Sequence, residues 1–182
     1  MDYASQRVAS AHNLAQTAPN DYASQRVAQA HATTQQPGGD VFNAFMEPVK
    51  AKIQNPYALA AIASTGQAES GFDPGNVART WSDPSQSGDP GTAGGIMSWR
   101  GDRLQALQQF GGGNMDPATQ AQFFLEENPQ LIQALSQAGS VEEAQQLMNN
   151  AWRFAGYDQQ GGEAARRLQT AQGHGRRAGA GS

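Results

Sequence analysis

A single carboxylate, Glu69, stands in a mostly apolar or small-residue stretch that begins at Tyr57. We expect it at the last turn of a half-buried helix, where the chain enters a loop. Partial desolvation raises the pKa of a carboxyl group and keeps a fraction of it protonated near neutral pH. A general acid that cleaves a glycosidic bond needs that property. The alternative is an exposed glutamate in a C-terminal turn, a position that the helix dipole disfavours.

Aromatic side chains follow this carboxylate, with Trp81 inside the loop region and Trp99 just beyond it. Flat aromatic faces stack on sugar rings, and their polar edges form hydrogen bonds. Both tryptophans are therefore candidate substrate-binding residues. For Trp99 the alternative is core packing, because Ile96 and Leu104 are close in sequence.

Two further carboxylates, Asp83 and Asp89, lie a short way downstream of Glu69. Either one is a candidate for the second carboxyl of a glycosidase pair. Each also precedes a proline, and aspartate before proline is typical of a turn. The sequence leaves both interpretations open.

Helical periodicity surrounds the segment that carries these residues. Apolar residues recur at helical spacing from Phe42 to Val49, and Pro48 is expected to bend or end that run. Asn55 followed by proline predicts the start of a helix that extends from Tyr57 to Ser70. Residues 73–95 lack helical periodicity and contain three Asp-Pro turns, which indicates an irregular lobe with a short β-hairpin.

Further helices are predicted in the second half of the chain. One begins near Trp99 and stops at Gly111, and a last one covers residues 163–169 before a basic, glycine-rich tail. Three helix starts lie between them, at Asp116–Pro117, at Asn128–Pro129 and at the capping box Ser140–Glu143. The sequence thus predicts a mostly α-helical fold with a small irregular or β-hairpin lobe.

The N-terminal part contains a direct repeat, in which Asp2–His12 (DYASQRVASAH) recurs as Asp21–His31 (DYASQRVAQAH). Each copy begins with an aspartate that is suited to cap a short, alanine-rich helix. We interpret the copies as two docking peptides that fold on a partner surface, within an extended helical-repeat arm. The alternative is a duplication in a tolerant, disordered leader. Residues 33–39 are a predicted linker.

Composition excludes several classes of function. The 182 residues have a formal net charge of −4 and no cysteine, which argues against nucleic-acid binding and thiolate metal sites. The three histidines lack the spacing of a metal site, so no cofactor is expected. No stretch approaches the length of a membrane span, and the start has neither the basic region nor the apolar core of a secretory signal.

Two segments together carry a family resemblance. They are Glu69–Pro74 (ESGFDP) and Gly88–Leu104 (GDPGTAGGIMSWRGDRL). Their sequences and spacing resemble the phage tail lysozyme family, which comprises virion-associated peptidoglycan hydrolases with a lysozyme-like fold. The match covers roughly residues 56–127, with weaker agreement to about residue 167. It does not include the N-terminal repeat.

The resemblance implies that Glu69 is the catalytic acid and that Gly95, Ile96 and Trp99 belong to the cleft wall. Thr92 is a candidate for holding the catalytic water, and Asp89 is a candidate for the second carboxylate. The chain departs from the family at Ser98, where a glutamine usually precedes the tryptophan. Because glutamine reaches further and offers both a donor and an acceptor, two outcomes are open at Ser98: a weakened substrate contact, or a contact kept through a water molecule.

The expected organisation has three parts, with an N-terminal arm and linker at 1–39, a lysozyme-like domain at 40–170 and a flexible tail at 171–182. The first hypothesis is a muramidase or lytic transglycosylase that acts on peptidoglycan strands in the periplasm, carried in the virion by contacts between the repeats and other tail proteins. A catalytically inactive structural virion protein is the second. A third is a lysis enzyme that is released through a separate membrane pore.

Overall fold

The computed structural model describes residues 39–82, 90–153, 156–159 and 161–179. The repeats, and the candidate carboxylates Asp83 and Asp89, lie outside these ranges. The described residues form seven α-helices and three short strands. The helices are α1 (Gly39–Lys52), α2 (Pro56–Glu69), α3 (Asp102–Phe110), α4 (Pro117–Glu127), α5 (Pro129–Gln137), α6 (Val141–Trp152) and α7 (Gly162–Gly179), and the strands are β1 (Thr80–Trp81), β2 (Ala93–Gly94) and β3 (Trp99–Arg100).

Helix α1 buries the apolar positions that the periodicity indicates, with Phe45 and Val49 in the core. Pro48 lies inside the helix and does not end it. Proline removes one backbone hydrogen bond from a helix interior. Because Val49 and Ile53 beyond Pro48 are fully buried, packing offsets this loss and the helix continues to Lys52.

Helix α2 begins where the Asn-Pro pair predicts. The Asn55 side-chain oxygen accepts a hydrogen bond from the Tyr57 backbone N–H at 2.9 Å, and Pro56 occupies the first turn. Small residues on α2 are buried, which lets neighbouring helices approach closely. The helix ends at Glu69, and the chain then turns through Gly71 (φ 67°) and Phe72 (φ 54°).

The predicted irregular lobe is a small antiparallel sheet in the order β1-β2-β3. Thr80 pairs with Gly94, which in turn pairs with Trp99. Trp99 therefore belongs to a strand, and the helix that was expected near it begins at Asp102. Gly101, which has a positive φ of 50°, separates the strand from the helix.

The caps of the later helices match their sequence signals. Asp116, Asn128 and Ser140 each accept a backbone hydrogen bond from the first turn of α4, α5 and α6, respectively. These bonds satisfy N–H groups that have no partner inside the helix.

Helix α7 is much longer than the sequence predicts. It continues from Gly162 to Gly179, whereas the expected helix ends at residue 169. Helix α7 packs mainly against α2 and α6, Ala171 is fully buried, and the His174 ring stacks on Phe42 with 6.1 Å between ring centroids. These tertiary contacts keep the glycine-rich segment helical, although its composition alone predicts a flexible tail.

The fold is mostly α-helical with one small sheet, as predicted. Its core contains Phe45, Phe72, Phe124 and Trp152, which form a chain of ring contacts between α1, α4, α6 and the turn after α2. Among the residues described, no helix has the length and apolar character needed to cross a membrane.

Candidate functional site

A small cavity lies at the C-terminal end of α2. Its volume is about 260 Å³, and the described residues that line it are Glu69, Asn76, Arg79 and Trp81. The helix end, the 3-10 turn Pro74–Asn76 and strand β1 each contribute part of its wall. The fold thus places one predicted catalytic residue and one predicted sugar-binding residue, Glu69 and Trp81, around the same space.

The Glu69 carboxylate is buried, with 9% of its side chain exposed. Its Oε1 atom accepts a hydrogen bond from Arg167 Nη1 at 2.7 Å. This arrangement excludes the alternative of an exposed glutamate in a C-terminal turn. Arg167 belongs to α7, which brings a cation to the end of α2 from a distant part of the sequence.

Arg167 is equally buried, with 6% of its side chain exposed. Its Nε atom donates a second hydrogen bond to Glu163 Oε1 at 3.0 Å. The Arg167 carbonyl oxygen accepts from the Ser64 hydroxyl at 2.6 Å, which ties α7 to α2. Such bonds offset the cost of removing the charges from water.

Arg167 is not among the site residues that the sequence predicts, and the sequence places it only within the last helix. One local signal was present, because Glu163 and Arg167 are four positions apart and would face the same side of a helix. That spacing does not indicate Glu69 as the second partner. Asn76 and Arg79 of the cavity wall were also missed.

The turn after α2 holds the end of the helix in place. Ser70 Oγ accepts from the Phe72 backbone N–H at 3.1 Å, and Asn76 Nδ2 donates to the Ser70 carbonyl oxygen at 3.1 Å. The buried Phe72 ring anchors this turn in the core. A positive φ at a bulky residue such as Phe72 is uncommon and is kept here by the surrounding contacts.

Ser98, the position that departs from the family pattern, faces the helix that carries Glu69. Its hydroxyl donates to the Glu69 carbonyl oxygen at 3.2 Å, and the residue is buried. It also has a positive φ of 51°. In this structure Ser98 holds the backbone at the site, whereas the sequence-based expectation was contact with substrate.

Gly95 and Ile96 lie in a buried loop that is fixed by Gln120 of α4. Gln120 Oε1 accepts from the Ile96 backbone N–H at 2.7 Å, and a Cβ at Gly95 (φ 76°) would lie 2.6 Å from the same oxygen. The Ile96 side chain is fully buried. Ile96 therefore packs in the hydrophobic core, which corrects the expectation that it belongs to the cleft wall.

Trp99 is a core residue with no exposed surface. Its Nε1 atom donates to Glu127 Oε1 at 2.9 Å, and Arg103 Nη2 donates to the same oxygen at 2.7 Å. A fully enclosed ring cannot stack on a sugar. Core packing is therefore the correct interpretation of Trp99, and its assignment to the cleft wall is wrong.

Thr92 directly precedes β2, and its carbonyl oxygen accepts from the Gly101 backbone N–H at 2.8 Å. Thr92 is not one of the four described residues that line the cavity. The structure therefore leaves its role with a catalytic water as a prediction. In the ranges that the structure covers, no group of three or more His, Cys, Asp or Glu side chains is arranged to hold a metal ion.

Comparison with known proteins places this chain in a family. A family model described as phage tail lysozyme matches residues 40–174, which include the four cavity residues and Arg167. Neither the curated proteins nor the solved structures give a match to the chain. Because the family model matches well over half of the sequence, the chain belongs to the phage tail lysozyme family.

Proposed function

We propose that this protein is a virion-associated peptidoglycan hydrolase that cleaves the β-1,4 bond between MurNAc and GlcNAc, with Glu69 as the general acid. The observation that carries the proposal is the meeting of Glu69 and Trp81 at one cavity, within a chain of the phage tail lysozyme family. The site would open the cell wall locally during genome entry.

The cavity supports a role in binding sugar. A volume of about 260 Å³ lies below the range of roughly 300–1,000 Å³ that is usual for drug-sized ligands, so it suits one sugar unit of a longer strand. Trp81 is partly exposed and offers an aromatic face, while Asn76 and Arg79 bring polar side chains to the same wall. This combination suits a ring with several hydroxyl groups.

The carboxylate is arranged so that one oxygen is held by the protein. Oε1 of Glu69 bonds to Arg167, whereas Oε2 has no hydrogen-bond partner among the residues that the structure describes. Oε2 is therefore the atom that we expect to reach the glycosidic oxygen.

Acid catalysis needs a proton on Glu69, and the proton competes with the ion pair to Arg167. Glu163 eases this competition because it also bonds to Arg167. When Glu69 takes up a proton, the buried guanidinium keeps one carboxylate partner. When Glu69 gives the proton away, Arg167 stabilises the carboxylate that forms.

In the proposed reaction Glu69 donates its proton to the glycosidic oxygen, and the bond from that oxygen to the anomeric carbon breaks. A water molecule that attacks the anomeric carbon gives a reducing end. If the C6 hydroxyl of the muramoyl unit attacks, a 1,6-anhydro end results. In either case Glu69 is available to accept the proton of the attacking group. Asp89 stays a candidate second carboxylate for the hydrolytic route, with Thr92 as a candidate for holding the water.

A second function is favoured by one observation, the buried ion pair of Glu69 with Arg167. If the pair persists when glycan is present, the domain is a catalytically inactive structural protein of the tail. Digestion of purified peptidoglycan by the wild type and by Glu69→Gln separates the two functions. Products from the wild type alone support catalysis, and no product from either protein, with full incorporation into particles, supports the structural role.

We also propose that the repeats Asp2–His12 and Asp21–His31 attach the protein to other tail proteins. Deletion of residues 1–38 should leave glycan cleavage intact and reduce incorporation into particles, as measured by immunoblot of washed virions. Unchanged incorporation would rule out this docking role.

A further inference from the structure

The side chain of Arg167 contacts Glu69 from a helix far away in sequence. We propose that Arg167 is a positioning residue for Glu69, held in its own place by Glu163. Its function is to fix one carboxylate oxygen so that the other is directed into the cavity. This inference rests on the proposed catalytic role of Glu69.

The two ion pairs use different nitrogen atoms of one rigid group. Nε of Arg167 lies 3.0 Å from Glu163 Oε1, and Nη1 lies 2.7 Å from Glu69 Oε1. Because the guanidinium is planar, a bond that fixes Nε also fixes the direction in which Nη1 points. Lysine has a single ammonium group and cannot reproduce this fixed spacing.

The backbone at Arg167 is tied to the helix that carries Glu69. The Ser64 hydroxyl of α2 donates to the Arg167 carbonyl oxygen at 2.6 Å, and Ser64 is fully buried. Helix α7 and helix α2 therefore meet close to the ion pair. The donor at Arg167 and the acceptor at Glu69 are both anchored to α2.

Loss of this arrangement would free the Glu69 carboxylate to rotate. A small misplacement of a catalytic group can reduce the rate about 100-fold without removing the substrate-binding contacts. A positioning role therefore predicts a fall in kcat at nearly constant KM. A purely structural ion pair would instead lower the stability and leave the turnover of each folded molecule unchanged.

Arg166 provides a matched control on the same helix. Its side chain is 75% exposed and forms an ion pair with Glu163 Oε2 at 2.9 Å. It forms no ion pair with Glu69 in the described part of the chain. Removal of Arg166 changes the net charge by the same amount as removal of Arg167 but leaves the contact to Glu69 in place.

The test compares kcat and KM of the full chain on soluble peptidoglycan fragments, with the folded fraction of each variant measured by circular dichroism. We expect Arg167→Lys and Arg167→Gln to lower kcat roughly 10- to 100-fold with KM within about twofold of the wild type. Glu163→Ala should lower kcat by a smaller factor, and Arg166→Gln should match the wild type.

Glu163→Ala and Arg167→Lys carry the test if Arg167→Gln does not fold, because Glu163 is partly exposed and lysine keeps the charge. If the folded molecules of these two variants have the kcat of the wild type, the positioning role is overturned. A kcat above that of the wild type would overturn it as well. Full activity of Glu69→Gln would instead refute the proposed function, so the two failures are distinguishable.

Discussion

The ring of Phe72 lies directly against the Cα of Gly66, with no space between them for a Cβ atom. Gly66 belongs to the last turns of α2, and Phe72 lies in the turn that follows this helix. The contact folds the chain back onto α2 just after Glu69. The absence of a side chain at Gly66 therefore helps to set where α2 ends and where the catalytic candidate lies.

Gly66→Ala should destabilise the protein although alanine favours helices. The added Cβ would overlap the Phe72 ring, and overpacking of this kind typically costs about 1–3 kcal/mol. Gly173→Ala on α7 is the matched control, because its Cβ would meet no atom within 4 Å. Urea denaturation should show a lower free energy of unfolding for Gly66→Ala and an equal or higher one for Gly173→Ala. Equal stability of both variants would contradict the packing described.

Trp81 and Trp99 should respond in opposite ways to mutation. Trp81→Ala should fold normally and raise KM by roughly fivefold, the equivalent of about 1 kcal/mol of lost stacking. Trp99→Phe should leave KM unchanged and lower stability, because Glu127 loses a buried hydrogen bond worth about 1–3 kcal/mol. Kinetics on peptidoglycan fragments together with thermal unfolding separate the two effects. A raised KM for Trp99→Phe but not for Trp81→Ala would contradict the assignment of Trp81 to sugar binding and of Trp99 to the core.

The stability of the domain should depend on His174 in mildly acidic solution. Burial and the nearby charge of Arg177 lower the pKa of His174 below its ordinary value. The unfolded chain therefore takes up this proton first, and the stability contributed by neutral His174 is lost as the pH falls through about 6.5 toward the lowered pKa. His174→Phe keeps a ring beside Phe42 and removes the titration. Unfolding free energies measured from pH 7.5 to pH 5 should fall more for the wild type than for His174→Phe. An equal fall in the unfolding free energy of both proteins over this pH range would contradict the contribution of neutral His174 to stability.

Signals within a few residues of one another predicted much of the fold. Asn55, Asp116 and Ser140 cap their helices as expected, since a cap depends on a side chain and the backbone two or three residues later. Glu69 was also located correctly at the end of a half-buried helix. Local signals do not predict the length of α7, because its glycine-rich composition is typical of a tail and its contacts with α2 and α6 are tertiary.

Parts of the site depend on contacts between distant residues, which spacing in sequence does not encode. Arg167 reaches Glu69 only after α7 packs against α2, so the ion pair had no local signature. Trp99 was ambiguous because an aromatic residue suits both a core and a sugar-binding wall, and only its complete burial decides between them. The role of Ser98 likewise follows from its hydrogen bond to the end of α2.

The catalytic role of Glu69 is tested most directly by digestion of purified peptidoglycan with the wild type and with Glu69→Gln, followed by mass spectrometry of the released muropeptides. Glutamine keeps the size of the side chain and a hydrogen-bond acceptor for Arg167, so the variant should remain folded. Catalysis by Glu69 should give glycan products from the wild type only, with reducing ends for a hydrolase or 1,6-anhydro ends for a lytic transglycosylase. Equal product release by both proteins would contradict the central role of Glu69.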